Sequence, residues 1–198
     1  VAPVAEREGF VFDGWSESLD KRACAQGTLL YALDYAVRLA ERKGETDRAG
    51  RLLRQKERLG RAARDAFWCE ERGCFLTGGQ FSPASQVWMV LGGAASGDEG
   101  RRAMEAALRS EDDPRMETPY LHHYFVMALL RAGLKEQAAA HLKAYWGGML
   151  AAGADTFWEC WDGEDPGRSP YGGSEVNSYC HAWSCTPAYL IERFFKEA

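Results

Sequence analysis

The sequence predicts an all-α protein built of helical hairpins, an arrangement compatible with a toroid, with one small β-hairpin near residues 67–77. Three observations carry this. Apolar residues recur at helical spacing through most of the chain. The breaks between these segments are short and marked by glycine, proline or a capping hydroxyl, so successive helices lie antiparallel. No strand-rich region exists that could build a parallel sheet. At 198 residues the chain is long enough for one domain with a substantial core, or for part of a larger one.

Residues 1–20 read as irregular and extended. Phe12-Asp13-Gly14-Trp15 holds a turn dipeptide, and Trp15, beside Asp13 and Glu17, serves as either a hydrophobic plug or part of a ligand subsite. From Lys21 to Lys43 the apolar positions Leu29, Leu33, Ala36, Val37 and Ala40 follow a helix that Gly44 ends. Thr46 caps a second helix carrying Ala49, Leu52, Leu53, Leu59, Ala63, Ala66 and Phe67, with charge on its other face. Trp68-Cys69, the turn Glu70–Gly73 and Cys74–Thr77 form the β-hairpin.

Ser82-Pro83 opens a helix that is apolar nearly all round (Val87, Trp88, Val90, Leu91) and therefore buried. Gln86 inside it is either a satisfied core amide or a group facing a cavity. Gly97–Ser110 is a short charged helix with Met104 and Leu108 inward, broken at Glu111–Pro114. Thr118-Pro119 starts a helix with Leu121, Phe125, Ala128 and Leu129 on one face, ending at Gly133. The next carries Ala138, Ala139, Leu142, Tyr145 and Trp146 and stops at Gly147-Gly148. A last helix begins by Thr186-Pro187 and runs through Phe194 and Phe195.

Charge and composition exclude several classes. The net charge is −5 and the basic residues are scattered among acids, which argues against a nucleic-acid partner. No apolar run reaches the roughly 18 residues of a membrane span. The six cysteines read as buried thiols, with Cys69 and Cys74 near enough across the hairpin for a local disulfide. Unpaired thiols lean towards a cytoplasmic setting. The cysteine spacing does not fit a zinc site, and neither a metal nor a cofactor is expected.

The chemistry gathers in Gly153–Asp162 and Ser178–Ser184. These segments hold three carboxylates (Asp155, Glu159, Asp162), three indoles (Trp158, Trp161, Trp183) and His181, with little helical periodicity. Indoles stack on the C–H faces of pyranose rings, and carboxylates supply hydroxyl acceptors and acid/base chemistry, so the combination suits a sugar. The competing reading is a packed aromatic loop with solvated acids.

Thr156-Phe157-Trp158-Glu159, a glycine-rich loop, then Ser178-Tyr179-Cys180-His181-Ala182-Trp183-Ser184 and Pro187 resemble the end of the catalytic domain in bacterial α-L-rhamnosidases, glycoside hydrolase family 78. Thr118-Pro119-Tyr120-Leu121, the hairpin into Gly153-Ala154-Asp155 and, more loosely, Phe12-Asp13-Gly14-Trp15 and Ser85-Gln86 match the same family. The resemblance implies an (α/α)6 barrel that hydrolyses terminal α-L-rhamnosides with inversion.

Carried over by position, Glu159 is the general base and Trp158 and Trp161 are walls of the sugar subsite. His181 is a partner for a sugar hydroxyl or for Glu159, or else makes an ordinary inter-helix hydrogen bond. Trp183, Trp15, Asp13, Gln86 and Tyr120 complete the implied substrate-binding set. The family's acid-bearing segment before a Gly-Trp has no counterpart here, so residues 1–198 read as one domain, the second half of the barrel, with its general acid elsewhere. Half a toroid would expose apolar helix faces and self-associate through them. Another (α/α)6 glycosidase, or a carbohydrate-binding helical domain without catalysis, remains the alternative.

Two further clusters stand apart. Tyr120, His122, His123 and Tyr124 crowd one helix, where adjacent histidines point about 100° apart and cannot easily share a metal. Tyr120 or His123 reads as pocket lining. Glu164–Gly167 and Tyr171–Ser174 read as a solvated connector rather than a lid.

Overall fold

The computed structural model describes residues 12–14, 16–110 and 116–196. Trp15 lies outside them. Helices α1 (Arg22–Arg42) and α2 (Thr46–Phe67) are followed by strands β1 (Trp68–Cys69) and β2 (Cys74–Phe75), then by α3 (Pro83–Gly92) and α4 (Gly97–Arg109). Next come α5 (Pro119–Arg131) and α6 (Lys135–Ala151), a long irregular segment with two 3-10 turns, and α7 (Pro187–Leu190). The fold is all-α, as the periodicity predicts. No helix among the described residues is long and apolar enough to cross a membrane.

The helices pair as α1–α2, α3–α4 and α5–α6, while α1 packs on α3 and α3 on α5. Odd-numbered helices therefore adjoin one another and each even-numbered helix backs its own partner. All ten residues of α3 are buried. Val87, Trp88, Met89 and Leu91 are each at most 2% exposed, and burying such a side chain stabilises the fold by about 1.5–3 kcal/mol. Proline at the first helical position and a hydroxyl before it start both α3 and α5. Ser82 Oγ accepts the Ser85 N–H at 3.1 Å, and Thr118 Oγ1 accepts that of Leu121 at 3.2 Å.

Helices α1 and α3 touch backbone to backbone. A Cβ on Gly27 would lie 2.5 Å from the Trp88 carbonyl carbon, and one on Gly92 would lie 2.7 Å from the Gly27 oxygen. Only glycine permits that approach, and it accounts for two glycines inside helices where propensity disfavours them. The outer helix α2 buries only Ala49, Ala63 and Phe67. It is tied to α4 by Arg64, whose guanidinium donates to both oxygens of Glu99 at 2.6 and 2.9 Å.

Several boundaries and faces differ from the sequence expectation. Helix α6 continues through Gly147-Gly148 to Ala151 and ends at Gly153, at φ +98°. Gly148 serves contact rather than termination, since its Cβ would stand 3.2 Å from Trp161 Nε1. The inward stripe of α1 is Ala23, Gly27, Leu30, Leu33, Val37 and Ala40, leaving Leu29 exposed because consecutive helical residues diverge by about 100°. Leu53 and Leu108 are likewise exposed. Beyond Pro187–Leu190 the last helix widens into a π turn over Ile191–Phe195.

All six cysteines are free. Cys69 and Cys74 face each other in the hairpin register without a bond, which corrects the disulfide expectation. Cys180 and Cys185 are exposed because they sit in the irregular segment, not on a helix face.

Candidate active site

The segment between α6 and α7 folds back on itself as a ribbon. The Glu159 N–H donates to the Ser178 carbonyl at 2.8 Å, and the His181 N–H to that of Phe157 at 2.8 Å. Side chains complete the seam: Trp183 Nε1 donates to the Glu159 carbonyl at 3.0 Å and Ser184 Oγ to that of Trp158 at 2.5 Å. Trp146 on α6 donates its indole N–H to the Ser184 carbonyl at 3.1 Å, fixing the ribbon to the helical frame. The two sequence segments that carry the chemistry are thus one structural unit.

Glu159 is 6% exposed, and each carboxylate oxygen receives one donor. Tyr171 Oη–H donates to Oε1 at 2.6 Å, and the Ser178 N–H to Oε2 at 2.9 Å. These are charge-assisted bonds, among the stronger in proteins, and they leave lone pairs on both oxygens. Donating that bond pushes the Tyr171 phenol up to about 12. Burial, helped by the nearby charge of Glu159, lifts the Cys160 thiol to about 11, so it stays neutral and is a poor nucleophile.

An aromatic chain leads from Glu159 towards Asp13. Trp183 stacks on Phe12 with ring centroids 5.6 Å apart and lies 6.0 Å from the Tyr120 ring. Tyr120 in turn meets Tyr124 edge-on at 5.0 Å. Asp13 is 4% exposed, and burial pushes its carboxyl up to about 6 against the opposing charge of Lys21. Burial and Tyr124 push the Tyr120 phenol upward too. Tyr120, Trp183, Asp13 and Glu159 are therefore gathered around one set of rings.

His181 packs its ring on Trp183 at 4.5 Å, while the donors to the Glu159 carboxylate are Tyr171 and Ser178. The sequence therefore named His181, which packs on Trp183, and missed the two residues that hold the carboxylate. Trp158 sits edge-on between Trp161 (5.6 Å) and Tyr179 (5.4 Å) and packs against the main core. Trp161 covers Gly148 and lines a cavity of about 800 Å³ with Glu17, Glu117, Tyr145 and Arg168.

Gln86 does not belong to this set. It is fully buried, accepts from the Phe75 N–H at 2.8 Å, and donates to the Phe75 and Ser82 carbonyls at 2.8 and 3.1 Å. It is a core amide that ties α3 to β2, and the substrate-binding expectation for it is corrected. The adjacent histidines of α5 diverge as the helix requires. His122 lies with Nδ1 2.8 Å from His141 Nε2 on α6, whereas His123 turns towards Tyr189, 6.0 Å away. No group of three or more metal-ligating side chains converges among the described residues.

The family model of the bacterial alpha-L-rhamnosidase 6 hairpin glycosidase domain matches residues 12–194. The chain belongs to that family. Among solved structures, a rhamnosidase from Klebsiella oxytoca with rhamnose bound is 45% identical at a TM-score of 0.86, covering 91% of this chain. The match covers 36% of the Klebsiella oxytoca protein, so this chain spans little more than a third of its length. The GH78 family rhamnosidase of Bacillus sp. GL1 shares the fold at 23% identity, with a TM-score of 0.65 over 83% of this chain and 18% of that one. No curated protein matches the chain.

Proposed function

We propose that this chain is the second half of an (α/α)6 catalytic domain that hydrolyses terminal α-L-rhamnosides with inversion, and that Glu159 is its general base. The observation that carries the reading is the Glu159 carboxylate, buried yet with lone pairs unused, beside an aromatic wall. The rhamnose bound by the Klebsiella oxytoca relative supports the choice of sugar.

In the proposed reaction Glu159 takes a proton from a water on the face of the ring opposite the leaving group. An acid from outside these residues protonates the leaving oxygen, the two carboxyls standing roughly 6.5–9.5 Å apart. Trp183, Tyr120 and His181 line the sugar beside Asp13, with Trp158 and Trp161 behind the base. The exposed apolar residues Leu29, Tyr35 and Leu39 on α1 support association through the open flank of the half-barrel.

Calorimetry tests the sugar: binding of L-rhamnose in preference to D-glucose is expected, and equal affinity would sink the assignment. The chain by itself is expected to show little or no turnover of aryl α-L-rhamnosides. Robust turnover abolished by Glu159→Gln would place the acid within these residues.

A further inference from the structure

The carboxylate of Glu159 is held from two sides, and one of them is a segment whose composition marks it only as a connector. The Ser178 amide belongs to the ribbon itself, whereas Tyr171 reaches Glu159 from 12 residues away across the acidic, glycine-rich loop. We propose that Tyr171 is a positioning residue for Glu159: its hydroxyl fixes Oε1 while the Ser178 N–H fixes Oε2, so the remaining lone pairs face one defined site for water. The inference rests on the reading of Glu159 as the base.

The loop is built to deliver that hydroxyl. Arg168 is ion-paired with Glu117, and its carbonyl accepts from Asn177 Nδ2 at 3.1 Å. Ser169 Oγ accepts the Tyr171 N–H at 3.1 Å, so the backbone is set just before the tyrosine. Gly172, at φ +94°, turns the chain away immediately after it. The ring is 47% exposed, so core packing does not explain why it lies where it does. The hydroxyl is anchored on Glu159. A phenol O–H 2.6 Å from a carboxylate oxygen is at the distance of a charge-assisted bond, and it removes the rotational freedom that a base on a lone side chain would keep.

The contact is tested in the chain itself by NMR of 13C-labelled tyrosine rings, the Tyr171 signal being assigned from Tyr171→Phe. In the wild type the bond to Glu159 is expected to hold that phenol above its ordinary value. Glu159→Gln is expected to lower its midpoint by about one unit or more, since the charged acceptor is gone. An unchanged midpoint overturns the proposal whatever the enzyme does.

The role is tested in a form of the domain that hydrolyses an aryl α-L-rhamnoside. There Tyr171→Phe is expected to lower kcat about tenfold or more while KM stays within about twofold, because only the placement of the base is lost. A kcat within about twofold of wild type overturns the positioning role. Failure of the hydrolase reading looks different: Glu159→Gln would leave turnover intact while the Tyr171 titration still responded to it.

Discussion

Two buried polar side chains, Gln86 in α3 and Glu159 in the ribbon, use the same bonds to opposite ends. Gln86 has both amide hydrogens and its oxygen engaged by backbone groups and is wholly enclosed. Glu159 has one donor on each oxygen, one of them from an exposed tyrosine, so acceptor capacity remains. Gln86 is sealed in the core with both N–H donors spent on backbone carbonyls, which makes it part of the frame. A polar group left with capacity is available to a substrate.

Substitutions can break that contrast. The largest effect is expected from Glu159→Gln in a catalytically competent form of the domain, where losing a general base lowers turnover by roughly 10²–10⁴-fold. Rhamnose binding and the melting temperature should stay near those of the wild type. If turnover persists, Glu159 is no more a chemical group than Gln86.

Gln86→Leu should do the reverse. It leaves the buried Phe75 N–H and C=O without a partner, at about 1–3 kcal/mol for each group, read as a lower urea midpoint. The architecture around the ribbon should survive.

A smaller, pH-dependent effect belongs to the frame. Burial depresses His141 to about 4, and burial together with His141 holds His122 well below its ordinary range. The folded state thus keeps both rings neutral while the unfolded chain takes up protons from about pH 6.5 downwards. Their contribution is fully present above that pH and is lost as the pH falls towards 4. His141→Phe should flatten the loss of stability over that window, measured by denaturation at successive pH values. An unaltered slope would show that the pair titrates normally.

The smallest effect is expected where frame and ribbon meet. Gly148→Ala sets a Cβ about 3.2 Å from the Trp161 indole, and a cost of about 1 kcal/mol with shifted tryptophan fluorescence should follow.

The frame was largely legible because each helix announces itself by local spacing and each cap by neighbouring residues. Failures occurred where the deciding partner was distant. Leu29 and Leu30 differ only by which faces α3, which no single-helix pattern reveals. Gly147-Gly148 read as a stop because the indole that needs Gly148 comes 13 residues later, beyond the helix end. The sequence allows two readings of Gln86 because its partner Phe75 sits on the separate β-hairpin. For the candidate site, the resemblance names Glu159, Trp183 and Tyr120, and the structure brings the three together through the Trp183 indole. Tyr171 escaped notice because glycine and acid neighbours give a connector's composition, and only folding brings its hydroxyl to the carboxylate.

The ribbon's seam also bears on the order in which the molecule assembles. The helical frame is built largely from bonds between residues four apart within each helix, and such local contacts form early and quickly. The bonds around Glu159 join residues 19 to 26 positions apart with no helix between them, so the intervening chain must be closed before any contact rewards it. The ribbon around Glu159 is therefore expected to close after the helical frame that Trp146 ties it to. Partial unfolding is expected to open the ribbon before α3, whose ten residues are all buried.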